Sequence, residues 1–406
     1  WAERDRIITK KMWSTDMEKV YYFDNAATTF PKHENVYKAM DEANRDYAVN
    51  AGRGAYALAG KASEVISGTR QQIMELTETE NVAEVVFTAS ATLACNEIFG
   101  GIDWKKKRTV YVSPFEHNAT MRSLFLYQKR YGFLITELAL DEKGMELDQE
   151  KIRFQFMREK PDLVVMSHVS NVTGYILPVE EIAASAKEYE AIVVVDGAQA
   201  LGLVPISLKN SPIDFYVFAG HKTLYGPFGI GGFIYHSKYR LKHMIAGGTG
   251  SDSLNLEMPE EGTVGYEPGS PNIVAIAGLH ASLEERMTYL KENADYFLDR
   301  EKEMTEYLIR QLKKIFGVTL YLPEHLENHA GIVSFNVEGY QAGEVGMILD
   351  QDYHVAVRTG YQCAPLIHKY LGSESYLGVV RASIGRFTTK EEIDVLVDAV
   401  REIAEG

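Results

Sequence analysis

Short apolar runs separated by polar, helix-spaced stretches set the rhythm of this chain. Runs rich in β-branched and aromatic residues fall at 84–88, 109–112, 162–166, 191–195, 214–218 and 231–235, with the length and composition of strands. They show little apolar/polar alternation, as expected of strands covered on both faces. Helical spacing fills several of the gaps, 179–189 among them. Strand alternating with helix predicts an α/β architecture, a mostly parallel sheet flanked by helices. Upstream, Tyr21-Tyr22-Phe23 predicts a short strand, Asp24 to Pro31 a polar loop, and 34–47 a helix.

Beyond Gly265 to Asn272 the pattern changes. A long helical region is predicted to about residue 316, with Leu290, Phe297, Met304, Leu308 and Leu312 on one face. Strands at 331–336, 353–357 and 379–384 and a helix from Lys390 then predict a smaller α+β unit. The expected organisation is an extension over 1–20, a large domain over 21–285 and a small C-terminal domain over 286–406. No internal repeat or low-complexity linker interrupts it.

Composition narrows the classes. The chain has 406 residues and 46% hydrophobic content, ample for a core without staples. Its 42 Lys plus Arg against 57 Asp plus Glu leave a formal charge of −15, which argues against nucleic acid or an anionic membrane as partner. The two cysteines, Cys95 and Cys363, form no CxxC pair, so neither a disulfide framework nor a zinc knuckle is expected. No apolar run approaches the roughly 18 residues of a membrane span, and Trp1 to Lys11 is charged throughout. A cytoplasmic protein is the expectation, and residues 1–20 receive no role.

Candidate chemistry gathers at strand ends. Lys222, in Gly220-His221-Lys222, directly follows the run 214–218 and precedes glycines at 226, 229, 231 and 232. A lysine there can form a Schiff base with a carbonyl. Ser90-Ala91-Thr92, His117, His168 to Asn171 and Asp196 follow other strands. Carboxyl ends of parallel strands share one edge, so these groups should converge on one crevice. Ala91 and Thr92 open a helix whose free N–H groups suit a phosphate. Asp196 would be costly to bury without a cation, and a protonated pyridine nitrogen is one; a helix N-cap is the competing reading. Gly52-x-Gly54 and Gly60-Lys61 imitate nucleotide motifs, but their context fails.

Together the segments carry a resemblance. Asp24-Asn25-Ala26-Ala27-Thr28-Thr29, Glu116-His117-Asn118, Ser170 to Gly174, Asp196-Gly197-Ala198-Gln199, Gly220-His221-Lys222, Pro268 to Asn272, Arg358 to Ala364 and Val380 to Ser383, in that order, resemble the cysteine desulfurases. These are class V, fold-type I enzymes dependent on pyridoxal 5'-phosphate (PLP), with a seven-stranded type of large sheet and a smaller α+β domain. The resemblance implies that Lys222 carries the cofactor and that Asp196 partners its ring nitrogen. Gln199 would bond the ring hydroxyl, His117 would stack on the ring and move protons, and Ala91, Thr92 and His221 would hold the phosphate. Ser270 would reach the phosphate of a neighbouring subunit, implying a homodimer. Arg381 would clamp the substrate carboxylate, with Asn171 and Asn25 nearby and Arg358 on the substrate side.

Cys363 stands at the family's persulfide position, so the resemblance implies conversion of L-cysteine to L-alanine with sulfur passed to Cys363 and on to an acceptor protein. The short stretch from Cys363 to Arg381 is similar to the SufS-like group rather than the IscS-like one. Departures are Ala219 where relatives have serine, Ser270 for threonine, Tyr361-Gln362 for two histidines, and Tyr56 for another. A selenocysteine lyase-like enzyme and an aminotransferase remain alternatives; an inactive scaffold on the same fold is a third, opposed by the presence of Lys222 and Asp196. Cys95 reads as a small buried hydrophobe.

Overall fold

The computed structural model describes residues 19–51, 54–80, 82–143, 145–236, 238–250 and 254–406. In chain order the elements are β1 (Tyr21–Tyr22), α1 (Glu34–Glu42), α2 (Ala57–Leu76), β2 (Ala83–Thr88), α3 (Ala91–Gly101), β3 (Thr109–Val112), α4 (Asn118–Tyr131), β4 (Leu134–Glu137), α5 (Gln149–Arg158), β5 (Leu163–Ser167), α6 (Val179–Lys187), β6 (Ile192–Asp196), β7 (Phe215–Ala219) and β8 (Gly231–His236). There follow α7 (Ile273–Leu290), α8 (Tyr296–Leu312), β9 (Val318–Tyr321), β10 (Ile332–Val337), α9 (Ala342–Tyr353), β11 (Val355–Ala356), β12 (Arg358–Gly360), α10 (His368–Leu371), β13 (Val379–Ser383) and α11 (Lys390–Glu405).

The large sheet has seven strands in the order β2-β8-β7-β6-β5-β3-β4. Only β8 runs against its neighbours. Every residue of β3, β5 and β7 is buried, because helices cover both faces; that is why these runs lack alternation. The antiparallel β8 needs glycine where it enters the sheet. A Cβ on Gly232 would stand 2.7 Å from the Phe218 ring and closer still to the carbonyl oxygen of Val86.

Three differences from the predicted elements have local causes. β4 escapes the pattern because it is the sheet edge, with Leu134 57% exposed. The helical region after 272 is two helices, broken where the Asn293 side chain accepts from the N–H of Asp295 at 2.9 Å; short polar side chains compete there with the helical ladder. The 34–47 helix is regular only to Glu42 and closes in a π turn over Ala43–Tyr47.

The smaller sheet, β12-β13-β10-β9, is antiparallel. Its core joins Leu308 and Leu312 of α8, Val345 and Leu349 of α9 and Leu396 and Val400 of α11 to Val333, Phe335 and Val380. Phe23 belongs to this core, and β1 pairs in parallel with β11. The segment Tyr21 to Phe23 therefore packs against the C-terminal part before the chain crosses to the large sheet.

Two glycines give opposite expectations. Gly232→Ala should cost about 2–3 kcal/mol in urea unfolding, since neither backbone nor ring can retreat in a packed sheet. Gly60→Ala, in α2 with nothing near the added Cβ, should raise stability by about 0.5–1 kcal/mol.

Candidate active site

Register brings the strand ends together. Ser167 of β5 pairs with Asp196 of β6, which pairs with Val217 of β7, and Val112 of β3 lies beside Val165. The segments that follow therefore carry His117, Asn171, Asp196 and Lys222 over one edge of the sheet. Asp196 is only 7% exposed. Its Oδ1 accepts the N–H of Ala198 at 2.9 Å, and among the described residues no cation forms an ion pair with it. Burial pushes its carboxyl up, and the charge of Lys222 opposes that rise. Lys222 is itself brought down to about 8, first by burial and then by Arg381 and Arg358, with Asp196 opposing.

His117 caps α4. Its Nδ1 accepts the N–H of Ala119 at 3.0 Å, so the proton of the neutral ring sits on Nε2. Burial, and then the positive charges of Lys222, Arg358 and Arg381, lower it to about 3; the ring is neutral under ordinary conditions.

The opening of α3 forms an anion cradle. Ser90 caps the helix by accepting the N–H of Leu93 at 3.3 Å, while Ala91 and Thr92 lie in the first turn, whose N–H groups have no helical acceptor. A Cβ on Gly231 would come within 3.0 Å of the Ala91 nitrogen, so glycine keeps the cradle open. His221 stacks on Phe228 with ring centres 4.6 Å apart, and its Nδ1 is buried without a partner. Burial, then Lys222 and Lys32, lower His221 to about 4.

The polar loop after β1 lies across this crevice. Thr28 and Thr29 hydroxyls donate to the His221 carbonyl at 3.1 and 3.3 Å, and Thr29 also reaches the Lys222 carbonyl at 3.2 Å. Lys32 Nζ donates to Thr29 O at 2.8 Å. Gln199 Nε2 donates to Ala26 O at 2.7 Å. Asn25 is engaged by backbone on both sides of its amide: Nδ2 donates to Ser383 O at 3.0 Å and Oδ1 accepts from Phe30 N at 3.3 Å. The amide thus braces the loop. Ser270 is exposed ahead of α7, and among the described residues no hydrogen bond ties it to the other candidates.

On the opposite wall Arg381 and Arg358 are directly paired across β13 and β12, so their side chains leave on one face. Arg381 is 1% exposed. It donates from Nη2 to Asp24 Oδ1 at 2.7 Å and from Nη1 to Asn171 O at 2.9 Å; its Nε is buried without a partner. Arg358 Nη2 donates to Cys363 Sγ at 3.1 Å. Gln362 and Cys363 both have left-handed backbone, φ 51° and 56°. That turn is fixed by three bonds: Asn118 N–H to Cys363 O at 2.7 Å, Asn171 Nδ2 to Gln362 O at 2.7 Å, and Gln362 Nε2 to Arg358 O at 3.2 Å. Cys95 differs: it is buried in α3 and its thiol is held well above its usual range.

Asp24, Thr28, Thr29 and Gln362 were not singled out from sequence as individual site residues. Their signal is membership of the polar segments that carry the family resemblance; for Asp24, Thr28 and Thr29 the partners lie far along the chain.

The residues present fit PLP. A buried carboxylate lacking a cation suits a protonated ring nitrogen, the orphaned His221 Nδ1 and the first turn of α3 suit a phosphate, and a lysine lowered to about 8 suits an aldehyde. One bound group answers all three demands, which places the protein among the PLP-dependent α/β folds. The family model described as aminotransferase class-V matches residues 21–396. A probable cysteine desulfurase of Halalkalibacterium halodurans is 32% identical over 399 residues, covering 95% of this chain and 93% of the relative. A cysteine desulfurase of Escherichia coli K12 is 32% identical over 394 residues, covering 94% and 93%. The apo structure of the cysteine desulfurase from Thermococcus onnurineus NA1 superposes with a TM-score of 0.86 at 30% identity, covering 95% of each chain. The chain belongs to the class-V aminotransferase family, in its cysteine desulfurase branch.

The Asp24–Arg381 pair gives a prediction. Asp24→Asn leaves a buried guanidinium with a neutral partner, and because Asp24 still reaches solvent the cost should be about 2 kcal/mol in urea unfolding. Tyr22, pushed up to about 12 by burial and next by Asp24, should titrate lower in the variant, read by phenolate absorbance.

Proposed function

We propose that this protein is a PLP-dependent cysteine desulfurase that converts L-cysteine to L-alanine and takes the sulfur onto Cys363. The observation that carries the reading is the Arg358 guanidinium on Cys363 Sγ, in a turn bonded to the residue after His117. The guanidinium fixes where the sulfur sits, on the same side as Arg381.

When bound, PLP supplies an electron sink that loosens the bonds at the substrate's α-carbon. The chain supplies the rest. Arg381 and Asn171 receive the carboxylate of the amino acid, Arg381 through the guanidinium edge left by Asp24. Lys222 Nζ would take the proton from the α-carbon of the substrate. Neutral His117 holds a proton at Nε2 for delivery on the substrate side. Cys363 Sγ forms a bond to the substrate sulfur as the carbon–sulfur bond breaks, and the sulfur stays on Cys363 as a persulfide until a thiol acceptor takes it. Ala91, Thr92, His221 and Gln199 would hold the cofactor, with Asp196 facing its ring nitrogen. The exposed Ser270 completes the phosphate site of a partner subunit in a homodimer, and an acceptor protein meets Cys363 to feed iron–sulfur or thio-cofactor synthesis. The large part, 21–285, binds the cofactor and 286–406 carries the cysteine. Among the described residues no helix is long and apolar enough to cross a membrane.

Wild type and Cys363→Ala, each given L-cysteine and a reductant, test the reading. Alanine and sulfide from wild type, with alanine reduced by at least about a hundredfold in the variant, are expected if the nucleophile is essential. Equal alanine from both would remove Cys363 as the sulfur acceptor and favour a selenocysteine lyase-like enzyme.

Lys222 sets a pH dependence. Its amine is protonated below about 8 and free above it, so cofactor-free protein should capture PLP faster as pH rises through that value. Lys222→Ala should show no borohydride-fixed cofactor at any pH.

A further inference from the structure

Glu116 precedes His117 yet has no part in the chemistry above. It is 0% exposed, in the turn after β3. Its Oε1 accepts from the Ser113 hydroxyl and from the N–H of Ser167, and its Oε2 is buried with no partner. Ser167 is the register partner of Asp196. Two carboxyl groups therefore flank a single residue of β5 in the dry interior behind the crevice. The titratable groups that face Glu116 from the elements packed on it are Asp196 of β6 and Cys95 of α3. Neither can be a cation. Among the described residues, no lysine or arginine forms an ion pair with Glu116.

Two like charges at such a site cannot both be carried without a compensating cation. Asp196 forms no ion pair either, but it feels the charge of Lys222 and would face the ring nitrogen of a bound cofactor; no cation acts on Glu116 in the same way. We propose that Glu116 is a neutral carboxylic acid in the working protein, a positioning residue whose uncharged state leaves Asp196 the single negative charge beneath the cofactor ring. The proposal rests on the reading of the site as a PLP site. Burial pushes Glu116 up to about 8, against the lowering effect of its bonds to Ser113 and Ser167, and Asp196 adds to the rise. The sign follows by linkage. The folded state holds this proton more tightly than the unfolded chain, so its stabilising contribution is complete below the ordinary carboxyl range and is lost as pH rises through about 8.

The test uses the full-length protein, with and without PLP, as wild type, Glu116→Gln and Asp196→Asn. Glutamine keeps the Oε1 acceptor and is uncharged at every pH. Infrared difference spectra between about pH 6 and about pH 9 should show a buried carboxylic acid component disappearing in wild type and in Asp196→Asn that is missing from Glu116→Gln, while Glu301 and Glu97, raised to about 8 and about 7, contribute alike to all three. The melting temperature of Glu116→Gln relative to wild type should rise across the same interval. A band that survives in Glu116→Gln and vanishes in Asp196→Asn would put the proton on Asp196 and overturn the proposal. A wild type with no acid component beyond that of Glu116→Gln, or a melting difference flat with pH, would overturn it as well. Neither readout needs L-cysteine to be the substrate, so failure of the desulfurase reading would leave these results standing on their own.

Discussion

A carboxylate at the end of a parallel strand, buried and without an ion-pair partner among the described residues, is the constraint from which the site follows. Desolvation penalises the charge on Asp196 by several kcal/mol, on the order typical of a buried ion. The surroundings answer by shedding charge of their own. His168, lowered to about 4 by burial, is neutral and bonded to Tyr216, whose hydroxyl is held well above its ordinary range. The Cys95 thiol is raised by burial and by Asp196 itself. What is left is a field from one carboxylate, directed at Lys222 and at the space above the strand ends. A ring nitrogen placed there keeps its proton because the protein offers the carboxylate little else.

The groups across from that field, Arg381 and Arg358, sit on the other sheet. The join is the loop after β1. Asp24 bonds Arg381, Asn25 and the Ala26 N–H bond Ser383, Ala26 O receives Gln199, and Thr28 and Thr29 bond the carbonyls of His221 and Lys222. Apolar packing joins the two sheets as well, since Tyr321 and Val379 of the small sheet share a core with Phe218 and Leu224. The polar loop adds hydrogen bonds to both sides, to Arg381 and to the carbonyls of His221 and Lys222.

The same division decides what the sequence could reveal. Strands β3, β5, β6 and β7 were legible because burial on both faces leaves an unmistakable run of Val, Ile, Leu, Phe and Tyr. The convergence of His117, Asn171, Asp196 and Lys222 then follows from parallel topology alone. β4 and β9 were not legible, since they are edge strands partly open to solvent, unlike the edge strand β2, which is mostly buried. The Asp24–Arg381 pair joins residues at opposite ends of the chain, and no local pattern encodes it. Asn25 shows a further limit. Its residue type suits a ligand contact, but its amide is engaged by the backbone of the loop it sits in and of β13. Residue type gives capacity; register and long-range pairing give use.

Cys363 makes the point in energetic terms. A left-handed backbone costs an ordinary residue roughly 1–2 kcal/mol, and here two such residues are consecutive. A turn so placed would relax if it were free. It is held by Asn118, Asn171 and the side chain of Gln362 itself, which also reaches Val379 O at 3.3 Å. Two of those three anchors belong to the cofactor wall. The strain is therefore balanced by contacts to the surface on which the substrate would lie, and the thiol is carried at a position set from that side. Cys95, in an unstrained helix among apolar neighbours, has the same chemistry in principle and none of the placement. Cys363 and Cys95 thus differ in backbone geometry and in one guanidinium, Arg358, which bonds only the former.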